Sequence, residues 1–551
     1  MRRIIYKRAG LTGLCILLLL TSCCVISPVP ADTSTPGNST SNVSSADSQA
    51  TSITASGYTT MSASGDSSDA SADLSTGVSS EIPQDSNETK ETGPTSAQEI
   101  PARSQYSLNL TLDTDSHTIG GSETVIVYND SEDTWNKLCF RDYPSLFAPG
   151  GGSGYDSNGA VSEISSAKDI TNGFDLEITR DEKDVSIVYM DLFIPLNPGE
   201  SRKIEFEFTA YVPNLNSRYG FQDGVYNLAN FYPVLAVYEN GGWSTEPYFL
   251  WGECFYSKVS DYKVTLSVPL GITVISSGLS HIDTISGGRE VWEIAAEKVR
   301  DFAVVAGTGF AVTSTQADGV TINCYYRDGD LEWGKAALEA GAAATGIFDL
   351  TFGEYPYSEL DIVETYLDAG GMEYPNIVMI SNTIGSYSGK SSYLRIVVVH
   401  EVAHQWFYGL VGDNQYTEAW LDESFASYSE LVYKETFTDE QAINQEVDSL
   451  EESLMSEGIP ETADAFFINR AYNEFENDNA YTYTVYMRGE VFLFRLRVAM
   501  GTYAFNMAMK EYVAEYSFMV ATTDDFEAVI TKYAGGNPEV TALLAKYLRQ
   551  E

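Results

Sequence analysis

Histidine is scarce in this chain, with four in 551 residues. His117 and His281 stand apart in stretches that read as β, which leaves His400 and His404 as the place where two imidazoles can act together. Cysteine is sparse as well. Beyond Cys15, Cys23 and Cys24 there are only Cys139, Cys254 and Cys324, widely spaced and without a CxxC pair, so neither a thiolate metal site nor a disulfide framework is implied. Basic residues are few, 32 Lys and Arg against 78 Asp and Glu, and the formal charge of −46 argues against a nucleic-acid or anionic-membrane surface. The apolar run Leu11 to Leu20 is too short to cross a bilayer as a stable helix.

What is present describes an ordinary globular chain: 43% hydrophobic and 12% aromatic, long enough for two folded domains with accessory segments. The N-terminus reads as a targeting segment. Arg2, Arg3, Lys7 and Arg8 precede the apolar run, and Leu20-Thr21-Ser22-Cys23 resembles the lipobox of bacterial lipoproteins. That resemblance implies a signal peptide over 1–22, a lipid on Cys23, and an extracytoplasmic protein anchored to the bacterial cell membrane. An ordinary secretory signal is the alternative. Residues 23–103 are almost all Ser, Thr, Ala, Gly, Asp, Asn and Pro without period, a composition expected of a disordered tether.

From Tyr106 the character changes. Leu108, Leu110 and Leu112 alternate with polar residues, as do Ile204, Phe206 and Phe208, and further short apolar runs are parted by turn residues such as Ser286-Gly287-Gly288. An antiparallel β domain is expected over 104–316. Beyond it, strands at Leu360 to Glu364 and Ile377 to Ile380 mix with helices at Leu331 to Phe348, Ser391 to Leu410, Glu423 to Lys434, Thr484 to Val498, Tyr503 to Tyr516 and Asp524 to Tyr533. The fold class expected is therefore multidomain α+β, with the catalytic part over 317–551.

Its chemistry centres on His400-Glu401-Val402-Ala403-His404. Four positions along a helix bring the two imidazoles one turn apart on one face, where they can share a metal ion, and Glu401 is placed to reach a water on that ion as general base. Glu423, separated from His404 by eighteen residues, opens the next amphipathic run and supplies the third donor of a two-histidine, one-glutamate zinc site. Glu430 follows two turns later on the same face, either as a partner for a ligand histidine or as a solvated surface carboxylate.

Together with Trp420-Leu421-Asp422-Glu423-Ser424-Phe425-Ala426 and with Gly370-Gly371-Met372-Glu373 upstream, these residues resemble the aminopeptidase N family of zinc metallopeptidases, of gluzincin type. The resemblance implies a thermolysin-like mixed and helical catalytic domain behind the β domain, one Zn²⁺ per chain, and peptide substrates. It also implies roles. Glu373 would bind the free α-amino group of the substrate, with Gly370, Gly371 and Met372 pairing with the peptide as an edge strand. Tyr486, in Tyr486-Met487-Arg488-Gly489, would stabilise the oxyanion, with Tyr481 and Tyr483 as competitors. The chain departs from the family at Tyr374, where asparagine is usual. Larger relatives continue into domains that cover the site, so a chain stopping at Glu551 is expected to have a more open cleft. Removal of N-terminal residues from peptides outside the cytoplasm is the leading reading. A zinc endopeptidase on the same scaffold, or a non-catalytic surface binding lipoprotein, are the alternatives.

Overall fold

The computed structural model describes residues 102–148, 162–249, 252–253, 255–385, 391–456 and 467–549. The expected signal peptide, the lipidation site Cys23 and the tether as far as residue 101 lie outside the described residues, as does Cys254. Cys139 and Cys324 are free and buried. Among the described residues no helix is long and apolar enough to cross a membrane.

Alternating burial builds the first layer. In Gln105–Asp113 every second side chain, Tyr106, Leu108, Leu110 and Leu112, is buried, and the same period runs through Ser201–Tyr211. These strands join an eight-stranded sheet whose neighbours are antiparallel except for the parallel pair Gln105–Asp113 and Ser260–Pro269. A second, four-stranded sheet contains Val225–Ala229 and Ala303–Gly307. Its Val225, Ala229, Ile275, Ala303 and Val305 pack on Val363, Leu367, Met372, Tyr374, Ile377 and Met379 of the following sheet. That shared apolar core ties the Gly370–Glu373 segment to the β-rich half.

The following sheet has five strands, in the order Phe310–Ala317, Val320–Arg327, Glu359–Thr365, Ile377–Ser381 and Gly371–Met372. A division at 316/317 therefore falls inside the first strand of a hairpin. Phe310–Ala317 pairs along its whole length with Val320–Arg327, so this sheet begins at Phe310. Gly371–Met372 is its outermost strand, antiparallel to Ile377–Ser381.

Helix α1 (Leu331–Phe352) covers the sheet and packs on α2 (Ser391–Ala403), which in turn meets α3 (Trp420–Glu435). The apolar spacing beyond Ala403 suggested a helix to Leu410, but the backbone leaves the helix at Ala403 and turns through Tyr408 at φ +118°. The stretch expected as one helix from Thr484 to Val498 is two pieces, a π-helical turn Tyr483–Arg488 and a helix Gly489–Met500, and a short helix Asp478–Thr482 precedes them. Two helices, Glu440–Ser456 and Pro538–Leu548, carry no counterpart in the sequence reading.

Candidate metal centre

The last turn of α2 and the residue just past its end set the His400 and His404 rings edge to face with centroids 4.9 Å apart, and α3 brings Glu423 to face them. Glu423 Oε2 lies 3.2 Å from His400 Nε2 and 3.5 Å from His404 Nε2. All three residues are buried.

The remaining ring nitrogens are taken. His400 Nδ1 is 3.1 Å from Glu430 Oε1, and His404 Nδ1 is hydrogen-bonded to Asp422 Oδ1 and lies 3.1 Å from Phe407 O. A carboxylate or carbonyl on Nδ1 fixes the tautomer that leaves Nε2 as a free donor and raises its basicity. Two such nitrogens and a carboxylate oxygen, all within 4.8 Å of one another, are a donor set suited to zinc. A second trio, Glu373, Glu401 and His404, meets the same distance limit. It competes for the one free nitrogen of His404 and lacks the second oriented imidazole, so the chemistry favours the first.

Charge points the same way. Burial works against a charged ring at His400, but the hydrogen bonds of Glu423 and Glu430 outweigh it and carry its pKa up to about 9. His404 is likewise raised, burial again opposing and Asp422 and Glu373 prevailing. Burial opposes ionisation of Glu423 too, yet hydrogen bonds to the two histidines hold its carboxyl well below the usual carboxylate range. With no other cation the protons on the rings neutralise these carboxylates, a task a dication performs better.

Glu401 sits beside the trio, buried, and burial lifts its carboxyl to about 7 against the pull of His400 and His404. Gly371 is glycine for a visible reason: a Cβ there would stand 2.2 Å from Glu401 Oε1. The edge strand thus lies directly against the expected base. Glu373, at its end, is buried with Oε1 unpartnered, and its carboxyl is raised by burial and then by the charge of Glu253. Glu253 comes from the β-rich half, where the Arg218 guanidinium donates to it. Tyr374, where the aminopeptidase N resemblance would have asparagine, is fully buried in the shared apolar core with its hydroxyl 3.4 Å from Asn230 Oδ1.

Tyr486 is held by the π-helical turn with its hydroxyl donating to Glu423 Oε1. Ser424 Oγ donates to Val485 O at 2.5 Å, and a Cβ on Gly489 would meet Ser424 Oγ at 1.9 Å, so this turn lies flush on α3. Tyr481 is buried nearby with its hydroxyl unpartnered, while Tyr483 is only partly buried. His400, Glu401, His404, Glu423, Glu430 and Tyr486 are thus gathered in one place, with Gly371 against Glu401. Asp422, Glu253 and Arg218 are the members that sequence reasoning missed. Asp422 had a cue, its place beside Glu423. Arg218 had none.

Residues 337–547 match the model described as the peptidase family M1 domain. Over 303 residues the chain is 27% identical to Aminopeptidase M1 of Arabidopsis thaliana, covering 53% of this chain and 34% of that protein. Over 462 residues it is 25% identical to Aminopeptidase M1-A of Oryza sativa subsp. japonica, covering 81% of this chain and 50% of that one. The chain therefore spans a third to a half of the length of these relatives. The crystal structure of an M1 zinc metallopeptidase from Deinococcus radiodurans superposes with a TM-score of 0.59 at 18% identity, covering 82% of this chain and 95% of that one. A mutant of that protein bound to a Tyr-Ser-Ala substrate gives a TM-score of 0.58, also at 18% identity, over 82% and 95% of the two chains.

Proposed function

We propose that this chain, whose residues 337–547 carry a peptidase family M1 domain, is a zinc-dependent aminopeptidase that removes N-terminal residues from peptides outside the cytoplasm. The observation that carries the reading is Glu373: a buried carboxylate with a free oxygen, just past an edge strand that is paired on one side only, beside a second buried carboxylate and next to the metal cluster. Two like charges held together in a buried place are costly until an ammonium comes between them, and a peptide N-terminus supplies one.

His400, His404 and Glu423 would hold one zinc ion. When bound, zinc acidifies water and polarises the scissile carbonyl. The chain's own residues do the rest. Gly371 and Met372 pair with the peptide backbone as an added strand, and Glu373 with Glu253 sets the register by the α-amine. Glu401 accepts the proton of the attacking water and passes it to the leaving amine nitrogen. The Tyr486 hydroxyl, which rests on Glu423 in the free enzyme, turns its hydrogen to the developing oxyanion without bringing a charge of its own.

A lipid on Cys23 is proposed as the anchor, on the strength of Arg2, Arg3, Lys7, Arg8 and the Leu20-Thr21-Ser22-Cys23 run. Incorporation of a labelled fatty acid that is lost in Cys23→Ser supports it, and incorporation unchanged in that variant refutes it.

The function itself is tested with paired fluorogenic peptides, free and N-acetylated, with and without a chelator. Chelator-sensitive cleavage confined to the free-amine member is the expected result, and Glu373→Ala should lower it while leaving any activity on the blocked member unchanged. Equal cleavage of both members would contradict the aminopeptidase reading.

A further inference from the structure

Two adjacent residues of the β-rich half reach the loop that follows His404. Arg300 is 1% exposed, and among the described residues its guanidinium hydrogen-bonds to no carboxylate. Nε donates to Tyr408 O at 2.6 Å, Nη1 to Ser257 O at 3.0 Å, and Nη2 to Leu410 O at 3.4 Å and Met519 O at 2.9 Å. A buried guanidinium is tolerated only when its donors are met, and here main-chain carbonyls from three segments meet them. Gly412 packs on its plane, where a Cβ would stand 2.0 Å from Cζ. Asp301 takes the other end of the loop. Its carboxylate accepts the Tyr408 hydroxyl, Ser257 Oγ at 3.0 Å and Asn230 Nδ2 at 3.3 Å.

What the two residues grip from both ends is Tyr408, whose φ of +118° is strained for any residue with a Cβ. The turn at Tyr408 has a consequence one residue earlier. Phe407 O is carried back to 3.1 Å from His404 Nδ1, and Gly409 N donates to His404 O at 2.8 Å. Had α2 run on, that carbonyl would have pointed along the helix. Gln405 shares the turn: its side chain accepts from Asn376 N at 2.9 Å and donates to Tyr374 O at 3.2 Å, linking the loop to the Glu373 segment.

We propose that Arg300 and Asp301 are positioning residues for the metal ligand His404, holding Tyr408 in its strained turn so that Phe407 O, with Asp422, orients the imidazole. The inference rests on the reading of His400, His404 and Glu423 as a zinc site. By this arrangement the β-rich half, which contributes no metal ligand, tunes the metal's affinity.

Arg300→Lys keeps the charge but loses the fork, and Tyr408→Phe removes one hydroxyl and nothing else, so the second variant is informative even where the first fails to fold. Three quantities are measured on each and on the wild type: zinc affinity by competition with a chromophoric chelator, the visible spectrum of the cobalt-substituted protein, and the Tm of the metal-free protein. Zinc affinity is expected to fall by about 10- to 100-fold, the range typical of outer-shell partners, with an altered cobalt spectrum. Metal-free Tyr408→Phe should melt below the wild type but still fold, because the buried Asp301 carboxylate keeps Ser257 Oγ and Asn230 Nδ2 as donors. Wild-type zinc affinity and an unchanged cobalt spectrum in both variants, whatever their Tm, would overturn the proposal. A wild-type protein that takes up no zinc would instead overturn the metal reading, and the positioning role with it.

Discussion

The Tyr486 hydroxyl donates to one oxygen of Glu423 while the other oxygen of the same carboxylate lies 3.2 Å from His400 Nε2. One side chain of α3 therefore links the proposed metal ligands to the proposed oxyanion donor. It also explains why the π-helical turn is pinned to α3 through Ser424 and Gly489: a shift there would move Tyr486 and Glu423 apart.

The contact between Glu430 and His400 Nδ1 makes α3 responsible for both a ligand and the orientation of another. Glu430→Gln keeps the shape and loses the charge, and zinc affinity should drop by about 10- to 100-fold. Competition against a chelator of known affinity measures it. An unchanged affinity would return Glu430 to a bystander role.

Glu401 lies against Gly371 and makes no part of the favoured trio. Glu401→Gln should therefore retain stoichiometric zinc while kcat falls by about 10² to 10⁴, the usual worth of a general base. Elemental analysis with steady-state kinetics on the same preparation reads both. Loss of zinc together with activity would identify Glu401 as a ligand instead.

In the metal-free protein the folded-state pKa of His400, raised to about 9 from 6.5, means that the native state binds more protons than the unfolded chain between those values. The stability this contributes is complete below pH 6.5 and is lost as pH rises to 9. Burial at Glu401, lifted from 4.5 to about 7, acts with the same sign at lower pH. Thermal melts of the metal-free protein should show Tm falling from pH 6 to 9, with the gain from added zinc growing over the same interval as zinc displaces protons. A Tm that rises across that interval would contradict the protonation assigned to His400.

The metal trio was legible because a helical spacing of four puts His400 and His404 on one face, and Glu423 opens the next helix. Strand alternation was legible for the same local reason. What was not legible depends on chain segments far apart. Glu253 reaches the Glu373 end from the β-rich half paired with Arg218, and no local pattern foretells either contact. The end of α2 was misjudged because Trp406, Phe407 and Leu410 keep a helical apolar spacing, while the turn at Tyr408 is held through its carbonyl by Arg300, more than a hundred residues away. The break at Tyr483–Arg488 is similar: it is set by close packing on Ser424 rather than by a breaker in the chain.

The central claim is that Glu423 closes a three-ligand zinc site with His400 and His404, and zinc content per chain measured on purified wild type and Glu423→Ala tests it most directly. The account predicts one zinc per wild-type chain and a large loss of occupancy in the variant, with a folded protein by circular dichroism. One zinc retained per chain in folded Glu423→Ala would contradict it.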